Sequence, residues 1–239
     1  MSEDPRPINM NLCGEWNRAG IERWDVVDRS WSVFLRNTVE LVEFLNAPIH
    51  DPAMLQMVMT GGPIESSSVW EELAQRLHNQ LASVASLIDH TRRLTEYYKD
   101  DAPSLVAEFS SRNETIRQME QAAFLRDLRN YLLHYGHAPL ISTLTIPKAG
   151  SEANSRHAFR FSAEGLLRWA GWKAPARNYL AMFAVRDGPV IDSDVRIYGV
   201  AMQELYDWLF EQRSWVVALM PDRFRIGTQA TEERLWGKE

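Results

Sequence analysis

Residues 103–136, PSLVAEFSSRNETIRQMEQAAFLRDLRNYLLHYG, decide how the chain is read. Leu105, Val106, Phe109, Ile116, Met119, Phe124, Leu125, Leu128, Leu132 and Tyr135 recur at the three-and-four spacing of one helix face. Asp101 can cap the start, Pro103 fits the first turn, and Gly136 and Pro139 mark the end. One long amphipathic helix is expected here.

Working outward, residues 68–98 carry a second such pattern. Ser68 and Glu71 match a capping box, and Trp70, Leu73, Leu77, Leu81, Val84, Ile88, Leu94 and Tyr98 keep helical spacing. Residues 15–47 form a third through Trp24, Val27, Trp31, Phe34, Thr38, Leu41, Val42 and Leu45, with Pro48 expected to close it. Residues 49–67 lose periodicity in Pro, Gly and Ser and read as a connection with room for a short helical turn near Met54 to Met59. After Pro139 the pattern alternates, Leu140 to Ile146 and His157 to Phe161 around a polar turn, which predicts a β-hairpin over about 140–162. Ser162 and Pro175 can each open a short helix, and Val195, Tyr198, Met202, Leu205, Leu209, Val216 and Leu219 mark a last long one before Pro221. The expected fold is mainly α: a four-helix up-down bundle with an appended β-hairpin and short additional helices. It divides into an N-terminal arm (1–14), one helical domain (15–221) and a charged C-terminal tail (222–239).

The chain has 239 residues, 45% hydrophobic and 24% charged, enough apolar material for a sizeable core. A single cysteine, Cys13, allows neither an internal disulfide nor a cysteine-based zinc cluster. The first twelve residues carry acid and two prolines where a signal peptide would be basic and then apolar, and no run is long enough to span a membrane. The expectation is a cytoplasmic protein without cofactor or metal. A formal charge of -6 argues against broad, non-specific nucleic-acid binding. The basic residues, however, are 22 Arg against 4 Lys, and Arg is the side chain that grips an oxyanion bidentately. Genomic base composition can produce the same bias, so the positions of the arginines carry more information than their number.

On a helical wheel Phe124, Leu125, Leu128, Tyr131, Leu132 and Tyr135 gather on one side, the expected core face. Arg126, Arg129, Asn130 and His134 gather opposite, with Leu133 among them and Asp127 at the flank. Arg126, Asn130 and His134 lie four apart and stack along the helix, with Arg129 beside them. Guanidinium, amide and imidazole on one stripe suit the holding of a phosphodiester and the movement of a proton. Asp89-His90-Thr91-Arg92-Arg93 on the preceding helix can add Arg92 and Arg93 as substrate contacts. The string Arg-Asn-Tyr-Leu recurs at 177–180, but Met182 replaces the histidine there.

Arg129, Asn130 and His134, an Arg-x4-His motif with a polar residue after the Arg late in a bundle helix, resemble the HEPN superfamily. The resemblance covers about residues 15–136 and the last long helix. It implies a helical homodimer that brings two motifs together and a metal-independent endoribonuclease of defence or toxin systems, with RNA and a cognate antitoxin or defence partner as ligands. In that reading Arg129, Asn130 and His134 are catalytic, and Arg126, Arg92 and Arg93 bind substrate. His134 would deprotonate the ribose 2′-OH or protonate the leaving 5′-oxygen, and Arg129 would stabilise the charged transition state. The branch paired with a small nucleotidyltransferase has Tyr two residues after the His. Here that position is Gly136, with Tyr135 one residue earlier.

Two other readings of the stripe stay open: a solvated helix end where Arg and His favour the macrodipole, and a helical dimer that binds RNA or protein without catalysis. His137 lies beyond the helix end and reads as a loop residue. His50-Asp51 has no further ligand spacing, and the nine Trp fall mostly at core spacing. No phosphate-cradling Gly-rich loop, Gly-x-Ser-x-Gly, His-Glu-x-x-His or Cys pair is present.

Overall fold

The computed structural model describes residues 10–62, 66–147, 155–184 and 188–218. These residues form eight helices and one two-stranded antiparallel sheet. The helices are α1 (Met10–His50), α2 (Pro52–Thr60), α3 (Ser67–Tyr97), α4 (Pro103–Arg117), α5 (Glu120–His134), α6 (Ala163–Leu167), α7 (Ala174–Ala181) and α8 (Ile191–Ala218). The strands β1 (Leu140–Thr145) and β2 (Arg156–Phe161) pair from Leu140↔Phe161 to Thr145↔Arg156, the hairpin expected from the alternation. The expected C-terminal tail lies outside the described residues. Helix α1 begins at Met10, so residues 10–14, assigned from sequence to an arm, are helical.

The predicted apolar stripes make the core. Trp24, Val27, Trp31, Phe34, Leu41 and Leu45 of α1 are buried against Leu73, Leu77, Leu87 and Leu94 of α3 and Val195, Met202, Tyr206 and Leu209 of α8. Polar pairs give the directions. Arg76 meets Glu40 and His90 meets Ser30, so α3 runs antiparallel to α1. Asp192 meets Asn46 and Arg213 meets Asp25, so α8 runs antiparallel to α1 as well. Trp31 stacks on Tyr206 at 4.9 Å between centroids, and Thr91 Oγ1 lies 2.6 Å from the Tyr206 hydroxyl, tying α3 to α8 inside the core.

Several expectations are corrected. Pro48 does not close α1. It sits in the last turn, and the helix continues because the Asp51 amide donates to Ala47 O at 2.9 Å. Asp51 then caps α2, accepting from the Ala53 and Met54 amides. The Ser68 capping box does not form, because α3 starts at Ser67 and Ser68 is already inside it.

The largest departure is in the deciding stretch: residues 103–136 form two helices. Met119 is extended (φ -65°, ψ 136°) between α4 and α5. The halves bury different faces. In α4 Leu105, Phe109 and Ile116 are buried, whereas α5 buries Ala122 to Leu125, Asp127, Leu128 and Tyr131. Phe124 is at their centre, with Phe161 of β2, Trp172 and Tyr179 of α7 all within 6 Å of its ring centroid. A straight helix cannot present one stripe to α8 and then a broader, rotated one to the hairpin and α7, so the backbone turns at Met119.

The region after β2 forms a lid over α5. Ser162 caps α6 as expected, accepting from the Gly165 amide at 3.1 Å. At Gly188 φ is +114° and an added Cβ would lie 1.7 Å from Phe161 O, so only glycine fits where this segment crosses β2. Gly188 O accepts from Arg160 Nη1 at 2.8 Å, and the Phe161 amide donates to Pro189 O.

Candidate functional site

The turn at Met119 leaves a cleft of about 320 Å³ where α3, α4 and α5 meet. Leu81, Val84 and Ile88 of α3, Ile116 of α4, Leu125 of α5 and Tyr198 of α8 make an apolar lining. Its polar members are Arg92 and Asp89 of α3, Asn113 and Arg117 of α4, and Arg126, Arg129 and Asn130 of α5. Three helices thus bring four guanidinium groups and one carboxylate to a single opening, a local excess of positive charge on a chain whose net charge is -6.

These guanidinium groups differ in how far their charge is answered. Arg92 pairs with Asp89 at 2.8 Å and Arg117 with Glu114 at 3.2 Å. The Arg92 hydrogen bond is the main reason the Asp89 carboxyl lies below its ordinary pKa, with Arg93 adding to it. Arg126 has only a distant partner, Asp127 at 3.7 Å. Arg129, Asn130 and Asn113 have no hydrogen bond or ion pair among the described residues. The half-buried Arg129 head is therefore the cation most available to an incoming oxyanion.

Asp127, expected at the flank of the polar stripe, faces inward instead. It is 1% exposed and its Oδ2 accepts from the Lys173 amide at 3.0 Å, at the start of α7. An acceptor at a helix N-terminus satisfies an otherwise orphan amide and meets the positive end of the dipole, while the other oxygen, Oδ1, has no hydrogen bond among the described residues and only Arg126 Nε at 3.7 Å. Tyr135, expected on the core face, is exposed and packs at a tilt against the rings of Tyr131 and Trp169. It lies at the C-cap, where the core face ends.

The structure brings together Arg126, Arg129, Asn130 and Arg92 of the residues predicted from sequence. It leaves out two. His134 is exposed at the last position of α5, outside the cleft lining and without a hydrogen bond or ion pair among the described residues. Leu133 beside it is also exposed. Arg93 pairs with Asp89 at 3.0 Å and lines a separate opening with Arg23, His90 and Tyr97. Arg92 borders both openings. In the second one Ser30 donates to Val26 O at 2.7 Å, so the His90 Nδ1–H donates to Ser30 Oγ at 2.6 Å. His137 lines a third opening with His78 and Glu71 of α3, on the far side of α5. No group of three His, Cys, Asp or Glu side chains able to hold a metal occurs among the described residues.

Asn113, Arg117 and Tyr198 were not visible as site residues in the sequence. Nothing in periodicity places α4 and α8 side chains at an opening beside α5, and Tyr198 reads as one more core position. Tyr198 is in fact 6% exposed in the cleft lining, with no hydrogen-bond partner for its hydroxyl among the described residues. Burial raises its pKa, and nearby Arg126 partly offsets that shift.

No helix among the described residues is long and apolar enough to cross a membrane. Comparison of the chain with family models, with curated proteins and with solved structures gives no match.

Proposed function

We propose that this chain is a HEPN-like, metal-independent endoribonuclease that acts as a homodimer in a defence or toxin-type system. The observation that carries the reading is the uncompensated stripe on α5, where Arg129 and Asn130 have no partner among the described residues and His134 is exposed one turn on. The antiparallel packing of α1 with α3 and α8 fits an up-down bundle, with α4 and α5 together as its third member. In this reading Arg129 and Arg126 hold the phosphodiester. The 2′-oxygen bonds to phosphorus as its proton passes to one His134, and the bond to the 5′-oxygen breaks as a proton arrives from a second. The products are a 2′,3′-cyclic phosphate and a 5′-hydroxyl. One imidazole cannot serve both steps at once, and exposed Leu133 and Tyr135 offer apolar surface beside it for a second copy to cover.

A second reading is favoured by a specific observation. His134 lies outside the cleft that collects the arginines, and no carboxylate among the described residues orients its ring. A dimer that binds RNA without cutting it, or binds a partner such as an antitoxin, needs only the arginines.

The test compares wild-type, Arg129→Ala and His134→Ala proteins on single-stranded RNA in excess chelator. The nuclease reading expects cyclic-phosphate ends from wild type and at least a hundredfold loss in each variant, the lower range for removing an acid–base or oxyanion-stabilising group. Cleavage that is equal in all three removes the nuclease. Binding that needs Arg129, with no cleavage by wild type, selects the second reading.

A further inference from the structure

We propose that the cleft between α3, α4 and α5 is a binding site for a small amphipathic carboxylate, with its hydrocarbon body on the apolar floor and its head between Arg129, Arg126 and Tyr198. This assignment goes beyond the ribonuclease reading and does not depend on it.

Size comes first. The cleft holds about 320 Å³, the low end of small-molecule sites. At roughly 30 Å³ per water-sized group it accommodates about ten heavy atoms. That is an eight-carbon acid. It is far too little for a base, sugar and phosphate together, so a whole nucleotide cannot be enclosed.

Lining chemistry comes second. Leu81, Val84, Ile88, Ile116 and Leu125 offer a hydrocarbon surface that water solvates poorly, and a free phosphate ion would leave it uncovered. A neutral hydrocarbon would leave the rim unanswered. There Arg129 lacks a partner among the described residues and Arg126 has only the 3.7 Å approach of Asp127. An Arg fork matches a planar carboxylate in two parallel hydrogen bonds.

Tyr198 is the third and independent observation. Tyr198 as a residue is more than nine-tenths buried and belongs to the cleft lining, and its hydroxyl has no hydrogen-bond partner among the described residues, so it is free to donate to a ligand. Arg126 is near enough to act on its pKa, so hydroxyl and cation serve the same spot. A carboxylate oxygen there accepts from both. The amides of Asn113 and Asn130, also without partners among the described residues, complete the rim. Because Arg129 is shared, a bound carboxylate competes with any phosphodiester on α5.

The experiment is calorimetric titration of the full chain with octanoate, butyrate, 1-octanol and inorganic phosphate, repeated on Arg129→Ala, Ile88→Trp and Tyr198→Phe. Ile88 is partly exposed at the opening, so Trp there narrows the cleft without disturbing the core, and circular dichroism checks each fold. Octanoate is expected to bind about tenfold or more tighter than the other three probes, and to weaken about tenfold in Arg129→Ala and several-fold in Tyr198→Phe. Ile88→Trp should lose octanoate binding. The assignment is overturned if octanoate gives no heat, if butyrate, octanol or phosphate matches it, or if folded Arg129→Ala or Ile88→Trp binds it as wild type does. Binding without any RNA cleavage leaves this site standing and removes the nuclease, and cleavage without octanoate binding does the reverse.

Discussion

Replacing Asp194 with Asn should make the protein more stable above neutral pH and change it little in mild acid. Asp194 lies in the first turn of α8, 2% exposed, and accepts from the Tyr179 hydroxyl at 2.5 Å through Oδ1. Its other oxygen has no hydrogen-bond partner among the described residues. Burial pushes the carboxyl up to about 7, against the downward pull of the tyrosine hydrogen bond. An unfolded chain releases this proton near pH 4, the ordinary range for Asp. Between those values the folded protein therefore holds a proton that the unfolded chain has lost, and stability falls as pH rises. Three pKa units at about 1.4 kcal/mol each make the total loss at most about 4 kcal/mol, complete above the folded pKa and absent below the unfolded one.

Asn keeps an acceptor for Tyr179 and has no charge to bury. Urea unfolding of Asp194→Asn and wild type, from about pH 5 to about pH 8, gives the difference directly, because all other titrations cancel between them. The gap should widen in favour of the variant by about 2–3 kcal/mol over that range. A gap that stays constant would show that Asp194 ionises no differently in folded and unfolded chains, and the burial argument would be wrong.

Phe124→Ala removes the ring around which Phe161, Trp172 and Tyr179 pack, and should cost about 3–5 kcal/mol in urea unfolding with a loss of near-ultraviolet dichroism. A cost under about 1 kcal/mol would mean that α5 is not anchored there. If Arg129 contacts a phosphodiester, Arg129→Ala should flatten the salt dependence of single-stranded RNA binding by about 0.7 in log–log slope, whereas the doubly framed Arg76, held by Glu72 and Glu40, should leave it unchanged when replaced. Identical slopes in both variants would count against phosphate contact at Arg129.

The helices were legible where one stripe faces one neighbour. Trp24 to Leu45 on α1 and Val195 to Val216 on α8 are buried as their spacing demands. The turn at Met119 was not legible, because Ile116, Met119 and Phe124 keep acceptable helical spacing and Gln118 and Met119 are good helix formers. What breaks the helix is the demand of Phe161, Trp172 and Tyr179, all distant in sequence, for the Phe124 ring. The cleft inherits that limit. Arg126, Arg129 and Asn130 could be grouped from one helix, but Asn113, Arg117 and Tyr198 join them only through tertiary packing.

Asp127 shows why the stripe keeps its charge. Elsewhere arginines on these helices are answered by a carboxylate three or four residues away: Arg76 by Glu72, Arg112 by Glu108, Arg168 by Glu164 and Arg196 by Asp192. In residues 121–134 the only carboxylate is Asp127, and a solvent-facing Asp127 would sit among Arg126 and Arg129. Its position relative to Leu128 and Phe124 turns it inward, where the Lys173 amide of α7 takes its oxygen. The contact that docks α7 on α5 is therefore also what keeps an internal anion away from Arg129. An oxyanion that reaches the cleft meets a guanidinium with no partner among the described residues to displace, so its binding has desolvation and ordering to overcome but not the exchange of one ion pair for another.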